Sequence, residues 1–161
     1  MFREMRRKRQ AMSEAEAIEI LKKHDTGVLG VSGDDGYPYT VPLNYIYEQG
    51  RLIFHCALEG HKIDGIRRND KVSFCVIDQD EVIPEKFATC YRSVIVFGRA
   101  HILDNEAEKR AAIEHLVARI TPGFVAEGQQ EIKRDWKQLC MVEIVIEHVS
   151  AKTDIERAAK R

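Results

Sequence analysis

The sequence predicts a mainly β domain whose antiparallel sheet closes toward a barrel, with helices on its outside. Three observations carry this expectation. About six short β-prone runs are separated by turns rich in Gly, Pro and Asp. Three or four helical segments interrupt them, without the regular strand–helix alternation that a parallel sheet requires. Closure would also remove the edges that so many short strands otherwise expose.

Each element has a local reason. Ser13 and Glu16 are spaced as a capping box, and Ala17, Ile20, Leu21 and His24 then share one face, which predicts a helix over Ser13–His24. Thr26–Ser32 is a β-prone run stopped by Gly33-Asp34-Asp35-Gly36. Tyr37–Tyr47 is a longer β-rich run around Pro42, whose missing N–H marks an edge, a bulge or a ligand-facing kink. Glu48-Gln49-Gly50 turns the chain into a hairpin partner, Arg51–Ala57. Gly60–Asn69 reads as a short helix with Ile63 and Ile66 inward, and Lys71–Asp78 as a strand. Gln79–Thr89, with Pro84 and mixed charges, reads as a loop. Ser93–Leu103 holds the unbroken run Val94-Ile95-Val96-Phe97, the pattern of a strand covered on both faces. Asn105 caps a helix through Ile120 with Ile113, Leu116, Val117 and Ile120 in one stripe, ended by Thr121-Pro122-Gly123. A short helix over Gln129–Trp136 precedes a last strand, Leu139–Val149, and the charged tail from Ser150 is expected to fray. The organisation expected is a basic arm (1–12), one domain (13–150) and a charged tail (151–161).

Composition bounds the function. At 161 residues the chain is long enough for one real core. Hydrophobic residues at 44% and charged residues at 32% are ordinary for a folded soluble domain. A net charge of −1 gives no bulk attraction to nucleic acid or to an anionic membrane. The basic start (Arg3, Arg6, Arg7, Lys8, Arg9) lacks aromatic interleaving and reads as a solvated arm. No apolar run approaches the roughly 20 residues that span a bilayer. Polar Ser13-Glu14-Ala15-Glu16 follows the basic start where a secretory signal would be apolar, so a cytoplasmic protein is expected. Cys56, Cys75, Cys90 and Cys140 form no C-x-x-C pair and suit reduced thiols. His55, Cys56 and His61 lie close in sequence but have no acidic or Cys partner at ligand spacing, so no metal site is expected.

No nucleophile elbow, P-loop or G-x-G-x-x-G is present. The informative segment is Phe54-His55-Cys56-Ala57-Leu58-Glu59-Gly60-His61-Lys62, which runs from a strand end through a glycine turn into a helix. Lys62 in a first helical turn opposes the helix dipole. It either meets a phosphate there together with backbone N–H groups or points into solvent. His55 faces either a pocket or water. Arg92, in Tyr91-Arg92-Ser93, either binds an anion or is an ordinary strand charge, and Trp136 either stacks on a ligand or packs in a core or interface.

The order of these segments resembles the pyridoxamine-phosphate-oxidase-like FMN-binding split barrels, and within them the 5-nitroimidazole resistance (Nim-like) branch. The resemblance runs through Gly36-Tyr37-Pro38-Tyr39-Thr40-Val41-Pro42-Leu43-Asn44, then Phe54 to Lys62, then Tyr91-Arg92-Ser93-Val94-Ile95-Val96-Phe97-Gly98. The last segment is the most specific to the Nim-like branch. The resemblance implies an antiparallel, Greek-key-like split β-barrel with peripheral helices, assembled as a homodimer with two cofactor sites at its interface. It places Val41, Pro42, Leu43 and Asn44 along a flavin ring and His55, Cys56 and Ala57 under the ring and ribityl chain. It places His61 and Lys62 at the phosphate, and brings Tyr91, Arg92 and Ser93 to the same site. Trp136 would come from the partner subunit. His55 is implied as the active-site residue of an FMN-dependent oxidoreductase that takes hydride from a reduced nicotinamide and reduces a small electron-poor molecule such as a nitroaromatic. The alternatives are FAD in place of FMN, a haem with His55 as axial ligand, a barrel that binds without turnover, and pyridoxamine-phosphate oxidation. His61 stands where the oxidases carry an arginine, and their C-terminal substrate pattern is not evident, so the chain departs from that last activity.

Overall fold

The computed structural model describes residues 2–159. The strands described are β1 (Ala11–Met12), β2 (Thr26–Ser32), β3 (Pro38–Asn44), β4 (Ile46–Glu48), β5 (Arg51–Ala57), β6 (Lys71–Ile83), β7 (Ala88–Ile102) and β8 (Leu139–Thr153). The helices are α1 (Glu14–Lys23), α2 (His61–Arg68), α3 (Glu106–Ile120), α4 (Val125–Asp135) and α5 (Ile155–Ala158). All strands join one sheet in the order β3-β2-β6-β7-β8-β5-β4, with β1 added to β8, and every pairing is antiparallel. The two ends of that order do not hydrogen-bond to each other, although β3 lies against β5. This is a split barrel. Pro42 sits on β3, an end strand, where its missing donor costs no ladder bond.

Local chemistry starts the fold as the sequence predicts. Ser13 Oγ accepts from the Glu16 N–H while the Glu16 carboxylate accepts from the Ser13 N–H, so both halves of the capping box are made. Asn105 caps α3 by accepting from the N–H groups of Ala107 and Glu108.

Two apolar clusters hold the elements. Leu29, Leu52, Phe54, Phe74, Val94, Val96, Val142 and Ile144 fill the barrel. Ile46, Ile53 and Met141, on the other face of the β4–β5–β8 sheet, pack under Ala112, Ile113 and Leu116 of α3 and Ile132 of α4. β5 is therefore covered on both sides, and Leu52, Ile53 and Phe54 are all fully buried. Each such side chain contributes about 1.5–3 kcal/mol by leaving water.

The structure corrects four expectations. Gln79–Thr89 is not a loop: after a register shift beyond Ile77, β6 and β7 stay paired from Gln79–Arg92 to Ile83–Ala88. Pro84 sits in the tip, Pro84–Lys86, where no ladder hydrogen bond is required. Its charges had suggested a loop because this hairpin projects from the core, leaving Val82 and Phe87 exposed. β7 is not covered on both faces within the chain: Val94 and Val96 are fully buried, whereas Ile95 is 43% and Phe97 39% exposed. The tail does not fray at Ser150. β8 continues to Thr153, pairing with β7 and with β1, and Ala151, Thr153 and Asp154 are buried. Finally, α4 begins at Val125, a turn earlier than expected.

Candidate functional site

The alternation of β3 and β5 sorts the candidate residues onto two faces. Val41 and Leu43 turn inward and pack on the barrel core, and Cys56 does the same on β5. Pro42, Asn44, His55 and Ala57 turn outward and stay exposed. A ligand lying over this surface would meet Val41 and Leu43 through backbone, and Asn44 and His55 through side chains.

Asn44 and His55 line the same cavity, of about 270 Å³, roofed by Ile113, Leu116, Val117 and Ile120 of α3 and by Gly128 and Ile132 of α4. Asn44 Nδ2 donates to the Asp25 carbonyl and to Thr26 Oγ1, which fixes its amide at the rim. The floor is polar and the α3 stripe of the roof apolar, while Thr121 and the acidic Glu131 and Asp135 of α4 also reach the cavity.

The start of α2 is aimed by two glycines. Gly60 caps the helix at φ 126, a conformation that disfavours side chains. Gly65 lets the helix press onto β2, since a Cβ there would lie 2.8 Å from the Ser32 carbonyl oxygen. The Gly60 carbonyl accepts from the N–H groups of Ile63 and Asp64, and the cap has no side-chain acceptor for the first turn. His61 is held sideways: its ring stacks on Tyr39 at 4.1 Å, and Nε2 lies 3.6 Å from Asp34 Oδ2. Arg68 also binds Asp34, and its hydrogen bond, then the charge of His61, lowers the Asp34 carboxyl. Lys62 makes no hydrogen bond or ion pair with any described side chain. Its charge nevertheless reaches β5. Burial first, and Lys62 second, lower the His55 imidazole from its usual range, keeping the ring neutral near pH 7.

Tyr91, Arg92 and Ser93 are not brought to this cavity within the chain. His55 pairs with Met141 and Arg92 with Thr153, at opposite ends of β8. Arg92 is instead bound to Asp78, whose side chain is only 1% exposed and which also accepts from Lys23 at 2.8 Å and lies 2.7 Å from His24 Nε2. Burial would raise the Asp78 carboxyl, but hydrogen bonds from His24, Lys23 and Arg92 outweigh it and hold it far below the usual range. Tyr91 accepts a long hydrogen bond from Gln10 and lies under Lys152, while Ser93 lines a surface groove with Phe2 and His148. Trp136 follows α4 outside the cavity lining, and Lys109 and Arg110 cover its ring at 4.4 and 4.3 Å. Among the described residues no cluster of His, Cys, Asp and Glu is arranged to hold a metal, and no helix is long and apolar enough to cross a membrane.

Sequence reasoning missed the roof. Ile113, Leu116, Val117 and Ile120 were legible as one stripe, but a stripe does not announce that part of it faces a cavity rather than core. The Asp34–His61–Arg68 cluster was hidden because its members meet only in the folded chain.

Comparison with known proteins agrees with this architecture. The family model described as pyridoxamine 5'-phosphate oxidase matches residues 13–153. A conserved hypothetical protein of Mycobacterium tuberculosis superposes with a TM-score of 0.81 at 22% identity, over 98% of this chain and 94% of that one. A candidate 5-nitroimidazole antibiotic resistance protein of Bacteroides thetaiotaomicron gives 0.71 at 19%, over 88% and 85%. A FAD-binding protein of Mesorhizobium loti gives 0.68 at 25%, over 90% and 97%. No curated protein matches the chain.

Proposed function

This chain belongs to the pyridoxamine 5'-phosphate oxidase family, and we propose that it is a flavoprotein that holds FMN along β3, β5 and the start of α2 and acts on a small electron-poor substrate. The observation that carries the reading is Lys62 at the start of α2, which makes no hydrogen bond or ion pair among the described residues and whose charge reaches His55 on the floor of the cavity. The residues fit the cofactor. The helix start offers a lysine and a first turn without a side-chain cap, alongside one acidic residue, Asp64, and a phosphate would meet its free N–H groups and Lys62. The outward faces of Pro42, Asn44, His55 and Ala57 offer a surface for a flat ring, with Val41 and Leu43 presenting backbone.

FMN would supply the redox chemistry at its ring; the chain binds, orients and shields. Lys62 would neutralise the phosphate, and the stripe of α3 would exclude water from the cavity. In the free protein burial, and then Lys62, lower the His55 imidazole from its usual range. Neutralisation of Lys62 by a phosphate would remove one of the two causes that lower the imidazole, and so bring it closer to the range in which it can donate a proton to a reduced substrate. A homodimer accounts for two open features together. A second copy over the outer faces of β6 and β7 would cover Ile77, Ile95 and Phe97, and it would carry a second Tyr91-Arg92-Ser93 toward the first site.

The test is the visible spectrum of protein purified without added cofactor, followed by FMN titration. Flavin bands, or quenching of FMN fluorescence on binding, are expected. Lys62→Ala is expected to weaken FMN at least tenfold, since a charge-assisted contact contributes about 1.5–3 kcal/mol. A colourless protein that binds no FMN would overturn the reading; an intense Soret band would replace flavin with haem, and FAD released on denaturation would replace FMN alone.

A further inference from the structure

Behind His55, on the opposite face of the same strand, lies a pair of cysteines that the proposed cofactor site does not use. Cys56 on β5 and Cys140 on β8 stand directly opposite each other in an unshifted antiparallel register. The Gly50 carbonyl accepts from the Ile146 N–H, so every second pair down this ladder is hydrogen-bonded, and Cys56–Cys140 falls on that set. Such pairs hold their Cα atoms about 5.5 Å apart, at the separation disulfides prefer. Both side chains point to the barrel interior. Only Ala57–Leu139 follows before the ladder ends. Cys140 is 2% exposed and Cys56 is half-buried. Cys75 and Cys90 differ: across the β6–β7 ladder they face Ile95 and Glu81.

We propose that Cys56 and Cys140 are a redox-active dithiol that closes to a cross-strand disulfide when a small peroxide reaches the pair near the end of the β5–β8 ladder. One thiolate of the pair attacks an oxygen of the peroxide and breaks the O–O bond, forming a sulfenic acid and releasing hydroxide or alkoxide, which takes up the proton that thiol gave up. The other sulfur then displaces hydroxide from the sulfenic sulfur, giving the S–S bond, while its own proton leaves with the hydroxide as water. The two electrons come from the sulfurs and reduce the peroxide oxygens. The reaction needs no bound cofactor, so it stands or falls independently of the flavin reading.

The experiment treats the native full chain with hydrogen peroxide, alkylates remaining thiols, and maps peptides without reduction. The expected product has lost the mass of two hydrogens, joins the Cys56 and Cys140 peptides, and returns to two alkylatable thiols after dithiothreitol. Cys56→Ser and Cys140→Ser are each expected to abolish the cross-linked peptide, and at least one of them to leave a dimedone-reactive sulfenic acid on the remaining thiol. Peroxide that leaves both thiols alkylatable, or that oxidises Cys75 or Cys90 in preference, overturns the proposal. Mapping of the unsubstituted chain decides the matter even if a serine variant fails to fold.

Discussion

The chain sets cationic side chains in two regions of the fold, and the two treat charge in opposite ways. At the β6–β7–α1 end, Asp78 takes contacts from Lys23, His24 and Arg92, so its charge is neutralised by the protein itself. At the β5–α2 end, Lys62 has no hydrogen bond or ion pair among the described residues, and after burial its charge lowers the His55 imidazole. A charge that the fold satisfies is part of the structure, whereas a charge set at a concave surface without a partner is an invitation to a ligand. Arg92 and Lys62 look alike in the sequence and differ only in whether a carboxylate reaches them.

Substitutions can break this contrast, and the largest effect is expected at Asp78. Asp78→Asn removes the anion that Lys23, Arg92 and the His24 ring share, at an expected cost of about 2 kcal/mol, toward the low end for hydrogen-bonded charges because Lys23 and Arg92 keep access to water. For a domain of this size the melting temperature should fall by about 4–8 °C at pH 7. The pH dependence has a definite sign. A carboxyl held below its unfolded value of about 3.9 stabilises the fold above that pH and loses its contribution as the pH drops. The gap between Asp78→Asn and the unsubstituted chain should therefore narrow from pH 5 toward pH 2 in thermal melts. An Asp78→Asn chain that melts normally but loses cofactor affinity would erase the difference between the two ends.

Trp136 tests the contrast at a smaller scale. Its ring is covered by Lys109 and Arg110, each such contact contributing about 0.5–1 kcal/mol at an exposed site. Trp136→Leu should lower stability by about 1 kcal/mol and leave FMN affinity unchanged, if its role within the chain is to lock α4 onto α3. A tenfold loss of affinity with unchanged melting would instead place the indole in a cofactor site. Lys62→Ala should show the reverse pattern, with affinity lost and the melting temperature of the free protein within about 2 °C.

Much of this was legible in the residues, and the failures have physical reasons. Ser13 and Asn105 announce their helices because capping is local. The strand Thr26–Ser32 and its turn were readable for the same reason. The hairpin beyond Asp78 was not: paired mainly with itself and away from the core, it carries polar residues that resemble a loop. The end of β8 was missed because Ala151 and Thr153 are buried by partners distant in sequence, β7 and the N-terminal segment. At the candidate site, the glycine turn and Lys62 were readable, since a lysine in a first helical turn conflicts with the dipole. That Lys62 stays unpaired while Arg92 does not depends on where Asp78 lands, which no local pattern encodes.

The smallest effect sharpens the comparison most. Burial and then Lys62 depress the His55 imidazole, so the folded state resists protonation more than the unfolded chain does. This costs stability as the pH falls below about 6.5, and His55→Gln should flatten that part of the stability curve. The ring itself can be followed by NMR titration. Lys62→Ala should raise the His55 midpoint without restoring it fully, because burial is the larger cause and remains. Inorganic phosphate or FMN should also raise the midpoint in the unsubstituted chain, by neutralising Lys62, and should have less effect in Lys62→Ala. A midpoint that ignores both the substitution and the anion would separate His55 from Lys62 and leave the β5–α2 end with two unrelated surface groups.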